Sequence, residues 1–247
     1  MSLTYAAPDW AEYRIDYKQA YVGVEPLEQE IAVVDAGLQA LLAAGIIGDT
    51  AYDGEKLLAH RQFVVDHFEI PWTAITPRMQ RLIYALNAIT RPANMIAAGV
   101  FCGNTFISNA GAGVGPGKCY DAEALVGLEI KPAEAERAER NVRRIDPSGV
   151  ARVVAADAIE FVRDWPTSID LLYLDADGTP EQGKGVYLTI LEAALDKLSP
   201  GALVLAHNSI NCAERLSQYL AYVRDPANMK ASMNMMVDGE GLEVSRF

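Results

Sequence analysis

Between residues 28 and 90 the apolar positions recur every three to four residues, the period of helices with one buried face. Glu28 to Ala44 sets Ile31, Val34, Leu38, Leu41 and Leu42 on one side and stops at Gly45. Asp53 to Phe68 and Pro77 to Ile89 repeat the pattern. Thr76 is the expected N-cap of the latter, and Pro77 suits its first turn. Upstream, Trp10, Tyr13, Tyr17 and Tyr21 also fall at helical spacing. A further helix with an aromatic face is expected there, either a packing or dimer face or a wall over a substrate. No strand is expected before Arg91-Pro92.

After Pro92 short apolar runs alternate with helical patterns. The runs are Asn94–Gly99, Ala124–Ile130, Ala151–Ala155, Ile169–Asp175 and Ala202–His207. The helical patterns are Thr105–Asn109, Pro132–Ile145, Ala158–Trp165, Val186–Leu198 and Ala213–Val223. Near-continuous apolar strands between helices indicate a parallel sheet covered on both faces. Lys230–Val237 and Leu242–Phe247, joined by Asp238-Gly239-Glu240-Gly241, read as a terminal hairpin. The expected fold is α/β: a Rossmann-like, doubly wound sheet of five parallel strands plus the hairpin, seven in all. A helical extension over residues 1–90 precedes this domain, which spans 91–247.

In open α/β sheets, ligands bind beyond the carboxyl ends of the strands. The first run ends in Gly99-Val100-Phe101-Cys102-Gly103-Asn104-Thr105. Its two glycines permit a tight turn into a helix N-terminus, either for packing alone or for close approach to a ligand. The spacing is not that of the dinucleotide fingerprint, which argues against a nicotinamide dehydrogenase. Glu129 closes the second run, followed by Ile130, and is placed to accept ribose hydroxyls. The stretch Ala110–Tyr120 before it, rich in glycine, reads as an inserted flexible loop. Asp157 follows the third run, before Ala158, as a helix cap, an acceptor for an adenine amine, or both. Asp175 and Asp177 close the fourth run, and His207-Asn208 the fifth. His60 and His67, seven apart on one helix, read as structural or surface residues.

Composition narrows the partners. The chain has 21 Lys and Arg against 33 Asp and Glu, a net charge of -12. Such a chain is a poor binder of nucleic acid or anionic membrane, so a small-molecule substrate is expected. The three cysteines, Cys102, Cys119 and Cys212, form no C-x-x-C pair. Neither a zinc knuckle nor a disulfide framework is expected. No basic segment followed by an apolar run opens the chain, and no apolar stretch is long enough to span a bilayer. A cytoplasmic protein is expected, with a homodimer through the N-terminal helices.

The stretches AAGVFCGNTF, VGLEIKPAEAERAERNV, VVAADAIEFV, IDLLYLDADG, LSPGALVLAHNSI and DGEGLEVSRF occur in this order from about Thr76 to Phe247. Together they resemble the metal-dependent O-methyltransferases, the class I family of catechol and caffeoyl-coenzyme A O-methyltransferases. The resemblance implies a sheet that binds S-adenosylmethionine. Gly99 and Gly103 would hold the methionine end, Glu129 the ribose, and Asp157 with Ala158 the adenine, with Phe101, Thr105 and Ile130 also against the cofactor. Asp175 would adjoin the cofactor.

The catalytic half departs from the family. Ala97 stands where the family's first motif has Glu, and Gly178 where it has its lysine. The nearest lysine is Lys184. The family's metal set, Asp then Asp-Asn, reads here Asp175 then His207-Asn208. Imidazole suits a transition metal better than Mg²⁺, so no Mg²⁺ requirement is expected. His207, Asp175 and Lys184 are the candidate catalytic groups, with His207 the preferred base because imidazole titrates near neutral pH. The expected reaction is methyl transfer to a small molecule, at oxygen. Two alternatives remain at this point: cyclisation of the cofactor on itself with release of methylthioadenosine, and a methyltransferase-like binder without catalysis.

Overall fold

The structure, a computed structural model, describes residues 3–19 and 21–247. The five apolar runs form β2 (Asn94–Ala98), β3 (Ala124–Glu129), β4 (Ala151–Ala155), β5 (Ile169–Leu174) and β6 (Leu198–His207). The hairpin is β7 (Ala231–Met236) and β8 (Leu242–Arg246). An additional strand, β1 (Leu3–Ala6), pairs parallel with β7, so the sheet has eight strands where seven were expected. Four residues carry too little periodicity to announce a strand, and the free edge of β7 is what settles this pairing.

The strand order is β1-β7-β8-β6-β5-β2-β3-β4. The chain lays β2, β3 and β4 toward one edge, then returns to place β5 on the other side of β2. This reversal creates the crevice where open α/β sheets bind ligands. The β6–β8 and β7–β8 pairs are antiparallel and the rest parallel.

Both faces of the sheet are covered, which explains the near-continuous apolar runs. On one face Met95, Ala97, Leu171, Tyr173, Leu203 and Leu205 pack with α1 (Leu27–Ala43), α3 (Pro77–Thr90), α4 (Asn104–Ala110) and α5 (Pro132–Ile145). On the other, Ile96, Ala98, Leu172, Leu174, Val204 and Ala206 pack with α6 (Ala158–Arg163), α7 (Val186–Ala194) and α8 (Ser217–Val223). Flanking the first layer, α2 (Gly54–His67) contributes Val64 to its core and buries Leu57 and His60 against the turn after α4. Thr76 caps α3 as expected, accepting the Met79 N–H at 3.1 Å.

Three local expectations are corrected. The aromatic helix does not form: residues 8–12 are turns, and Tyr13 is buried while Tyr17 and Tyr21 are exposed. Its side chains answer to distant partners rather than to a helix face. Arg78 lies 3.8 Å over the Tyr13 ring and bonds both Asp9 and Glu25, which pins the segment at its two ends. Second, Ala110–Tyr120 is packed rather than flexible. Gly111 and Gly117 lie against the His60 side chain, and the Tyr84 hydroxyl donates to the Gly117 carbonyl at 2.7 Å. Burial pushes the His60 pKa down to about 4, so it stays neutral. The glycines of this stretch serve close packing. Third, β6 starts at Leu198 instead of Ala202, because Pro200-Gly201 bends the strand at a register shift without ending it. This also ends α7 at Ala194, short of Leu198.

Candidate active site

Gly99 leaves β2 with φ +81°, beside the end of β5. A Cβ there would sit 2.4 Å from the backbone nitrogen and Cα of Ala176. Only glycine lets the two strand ends approach this closely. Gly103 has φ +93°, and its Cβ would meet Ala138 of α5 at 3.2 Å. Phe101, between them, adopts a left-handed φ of 48° and packs its ring on Trp72, centroids 4.9 Å apart. Thr105 follows in the first turn of α4.

Glu129 ends β3 beside this turn. Its Oε2 accepts the Phe101 N–H at 2.9 Å and its Oε1 the Lys131 N–H at 3.0 Å. Each oxygen keeps a lone pair, so the carboxylate is oriented and still able to accept. Ile130, just after the strand, is 61% exposed. At the end of β4, Asp157 caps α6 through one oxygen: Oδ1 accepts Ile159 N–H at 2.8 Å and Glu160 N–H at 3.1 Å. Both roles foreseen for Asp157 are open to it, since Oδ2 takes no hydrogen bond among the described residues. Ala158 begins α6 next to it.

Across the crevice, Asp175 follows β5. The Lys184 ammonium donates to its Oδ1 and to its backbone carbonyl, each at 2.9 Å. His207 Nδ1 lies 3.4 Å from Oδ2 without hydrogen-bond alignment. Both ring nitrogens of His207 are therefore unpartnered among the described residues, although the side chain is 2% exposed. Burial alone would raise the Asp175 pKa, but the neighbouring Lys184 and His207 charges outweigh it and hold the carboxyl below its usual value. Burial opposes charge on His207 as well, and Asp175, Asp238 and Glu240 overcome it to raise the imidazole pKa. The sequence showed Lys184 displaced from the family's lysine position. The turn 183–185 folds it back onto Asp175.

A second carboxylate group completes this side. Glu240, in the hairpin turn, accepts from Asn208 Nδ2 at 2.9 Å, from Asn211, and from the Tyr17 hydroxyl at 2.6 Å. That hydrogen bond, with burial, pushes the Tyr17 phenol up to about 12. Asp238 accepts the Thr76 hydroxyl. In the sequence the DGEG turn reads as turn chemistry and as part of a family-like stretch, with no role in the site. Its two carboxylates beside the end of the fifth strand were the signal that could have placed it in the site. Tyr17, Tyr21, Val22, Ile70 and Trp72 line an open crevice beside Phe101.

The donor set does not suit the metal that the resemblance implies. Asp175 is its one carboxylate, His207 stands in for the second, and Asn208, whose Nδ2 donates to Glu240, offers only a neutral amide oxygen. Among the described residues no three His, Cys, Asp or Glu side chains converge to hold an ion. Likewise, no described helix is long and apolar enough to cross a membrane.

Comparison with known proteins agrees with the fold. Residues 96–209 match a family described as a methyltransferase domain. No curated protein sequence matches the chain. The SAH-bound methyltransferase of Podospora anserina superposes with a TM-score of 0.60 at 14% identity, over 91% of this chain and 98% of that one. The O-methyltransferase of Bacillus cereus in complex with SAH gives 0.56 at 16%, over 87% and 99%. The SAM-bound O-methyltransferase of tomaymycin synthesis from Streptomyces achromogenes gives 0.56 at 17%, over 86% and 95%.

Proposed function

We infer, for a chain that carries the class I methyltransferase fold and matches a methyltransferase domain over residues 96–209, that it binds S-adenosylmethionine and methylates an oxygen of a small molecule. The observation that carries this reading is Glu129, a carboxylate oriented by two backbone N–H groups at the strand-order reversal. The cofactor supplies a methyl group already activated on a sulfonium. Glu129 accepts the ribose hydroxyls, with Ile130 against the sugar and base. Asp157 Oδ2 and Ala158 receive the adenine. Gly99, Phe101, Gly103 and Thr105 hold the methionine end beside Asp175.

The rest of the task is to align an acceptor and keep water out, which supplies roughly 7–11 kcal/mol of the barrier reduction. The aromatic crevice of Tyr17, Tyr21 and Trp72 receives the acceptor, with Val22 and Ile70 completing its wall. His207 takes the acceptor proton, a contribution of about 10²–10⁴ in rate. The charge formed on its ring is held by Asp175 Oδ2, 3.4 Å away. Lys184 in turn holds Asp175 in place. The net charge of -12 supports a protein that ignores polyanions, and three free cysteines support a reducing, cytoplasmic setting. A homodimer through the N-terminal helices would cover Leu27 and Leu42 of α1 and Leu58 and Val65 of α2, which are exposed.

Incubation with S-adenosylmethionine, alone and with a panel of hydroxylated small molecules, tests the reaction by mass spectrometry of the products. The cofactor is expected to stay intact alone and to yield S-adenosylhomocysteine with an acceptor. Methylthioadenosine formed from the cofactor alone would replace methyl transfer with self-cyclisation. Intact cofactor under every condition would contradict catalysis.

A further inference from the structure

Lys184 is the best-buried cation in the site, and its partners are unusual. Its side chain is 11% exposed, and the ammonium rests on one oxygen and the backbone carbonyl of a single residue, Asp175. Asp177 adds a second carboxylate at 3.8 Å. Tyr187, on the first turn of α7, lies with its ring centroid 5.6 Å from Nζ. The local backbone is built for this arrangement: Gly183 takes φ +50° in the turn that reverses the chain onto β5, and its N–H donates to Thr179.

Asp175 is the residue through which a related enzyme would hold its metal. An ion bound to a carboxylate sits about 2.0–2.6 Å from its oxygen. On Asp175 that would bring a dication within a few ångströms of the Lys184 ammonium, and Asp177, 3.8 Å from the ammonium with its side chain 71% exposed, offsets little of that charge. The ammonium already neutralises Asp175 and supplies a fixed positive charge at the head of the crevice. Two of its three N–H groups are used by Asp175, and the third is uncommitted by hydrogen bonds among the described residues.

We propose that Lys184 is a built-in cation that occupies the metal position beside Asp175 and excludes a divalent ion from it. The sequence change that substitutes His207 for a metal-binding acid and the fold that delivers Lys184 are two halves of one replacement. His207, 3.4 Å from the free side of the same carboxylate, is left without a metal and with both nitrogens unpartnered. This inference rests on the methyltransferase reading for the expectation that a cation belongs in the site. Its test reads metal binding alone and needs no acceptor, while cofactor binding is titrated separately, so the two can fail independently.

The experiment titrates Co²⁺ and Mg²⁺ into the full chain, following heat and, for Co²⁺, visible absorbance. The wild type is compared with Asp175→Asn, Lys184→Ala, and the double variant. The wild type should bind neither ion in a manner that depends on Asp175. Lys184→Ala should bind Co²⁺ at least about tenfold tighter than the wild type, and Asp175→Asn in the double variant should remove that gain. Should Lys184→Ala lose its cooperative unfolding transition, Lys184→Gln, which retains a donor for the Asp175 carbonyl, gives the same readout. Asp175-dependent binding of either ion by the wild type would overturn the proposal. So would equal Co²⁺ affinity in the wild type and the folded Lys184 variant, because the ammonium would then not be what keeps the ion out.

Discussion

Arg78→Met should destabilise the protein by about 3–5 kcal/mol, the cost of breaking a buried ion pair from one side. The Arg78 side chain is fully buried, and its guanidinium bonds Glu25 through Nε and one terminal nitrogen. It also bonds Asp9 at 2.8 and 2.9 Å and the Val237 carbonyl. The two carboxylates flank the segment 9–25, so one side chain ties both ends of the strap that carries Tyr17 and Tyr21 over the crevice. Methionine fills much of the space and leaves Glu25 charged with its side chain 7% exposed. Denaturant unfolding measures the loss, and limited proteolysis should find residues 9–25 newly cut. Glu25→Gln should cost more than Asp9→Asn, because the Asp9 side chain is 41% exposed and water replaces part of its pairing. A loss under about 1 kcal/mol for Arg78→Met, the range of an exposed pair, would refute the latch.

The second large effect lies at the head of β2. Gly99→Ala places a methyl 2.4 Å from the backbone of Ala176, where no side-chain motion can relieve the overlap. The left-handed conformation costs about 1–2 kcal/mol for an L-residue, and overpacking typically adds about 1–3. The thermal midpoint should fall by roughly 5–20 °C, at about 2–4 °C per kcal/mol for a chain of this size. The loss is not confined to stability. Asp175 donates its backbone N–H to the Ala98 carbonyl at 2.8 Å, so prising Gly99 from Ala176 also shifts Asp175 and, through it, Lys184 and His207. Affinity for S-adenosylmethionine should fall together with the midpoint. An alanine variant with an unchanged midpoint would mean that these strand ends are not in contact.

What the sequence disclosed and what it hid follow from where each signal is stored. The strands of the central sheet were legible because burial on both faces writes an apolar run, and Glu129, Asp157, Asp175 and His207 were legible as the polar residues that end such runs. The strap was not, because its conformation is set by Arg78 and Glu240, remote in sequence, and helical spacing of four aromatics could not reveal those partners. Helix α3 shows the same limit from the other side. Arg78, Gln80, Arg81 and Asn87 are all buried there, so their polarity gave no sign that the helix is covered nearly all round. Lys184 was visible as a candidate, but its contact with Asp175 depends on how the turn 183–185 directs it, which composition cannot specify.

The central claim is that the crevice at the strand-order reversal binds S-adenosylmethionine through Glu129. Calorimetric titration of the cofactor into the wild type, Glu129→Ala and Asp157→Asn tests it most directly. A charge-assisted hydrogen bond is worth about 1.5–3 kcal/mol, so loss of the ribose contacts should weaken binding by at least about tenfold. Asp157→Asn should cost less, since it removes one cofactor contact, the Oδ2 acceptor for the adenine amine, while its single oxygen keeps the α6 cap. The account predicts one cofactor bound per chain, with Glu129→Ala the weaker of the two variants. No binding by the wild type, or binding that Glu129→Ala leaves unchanged, would contradict it.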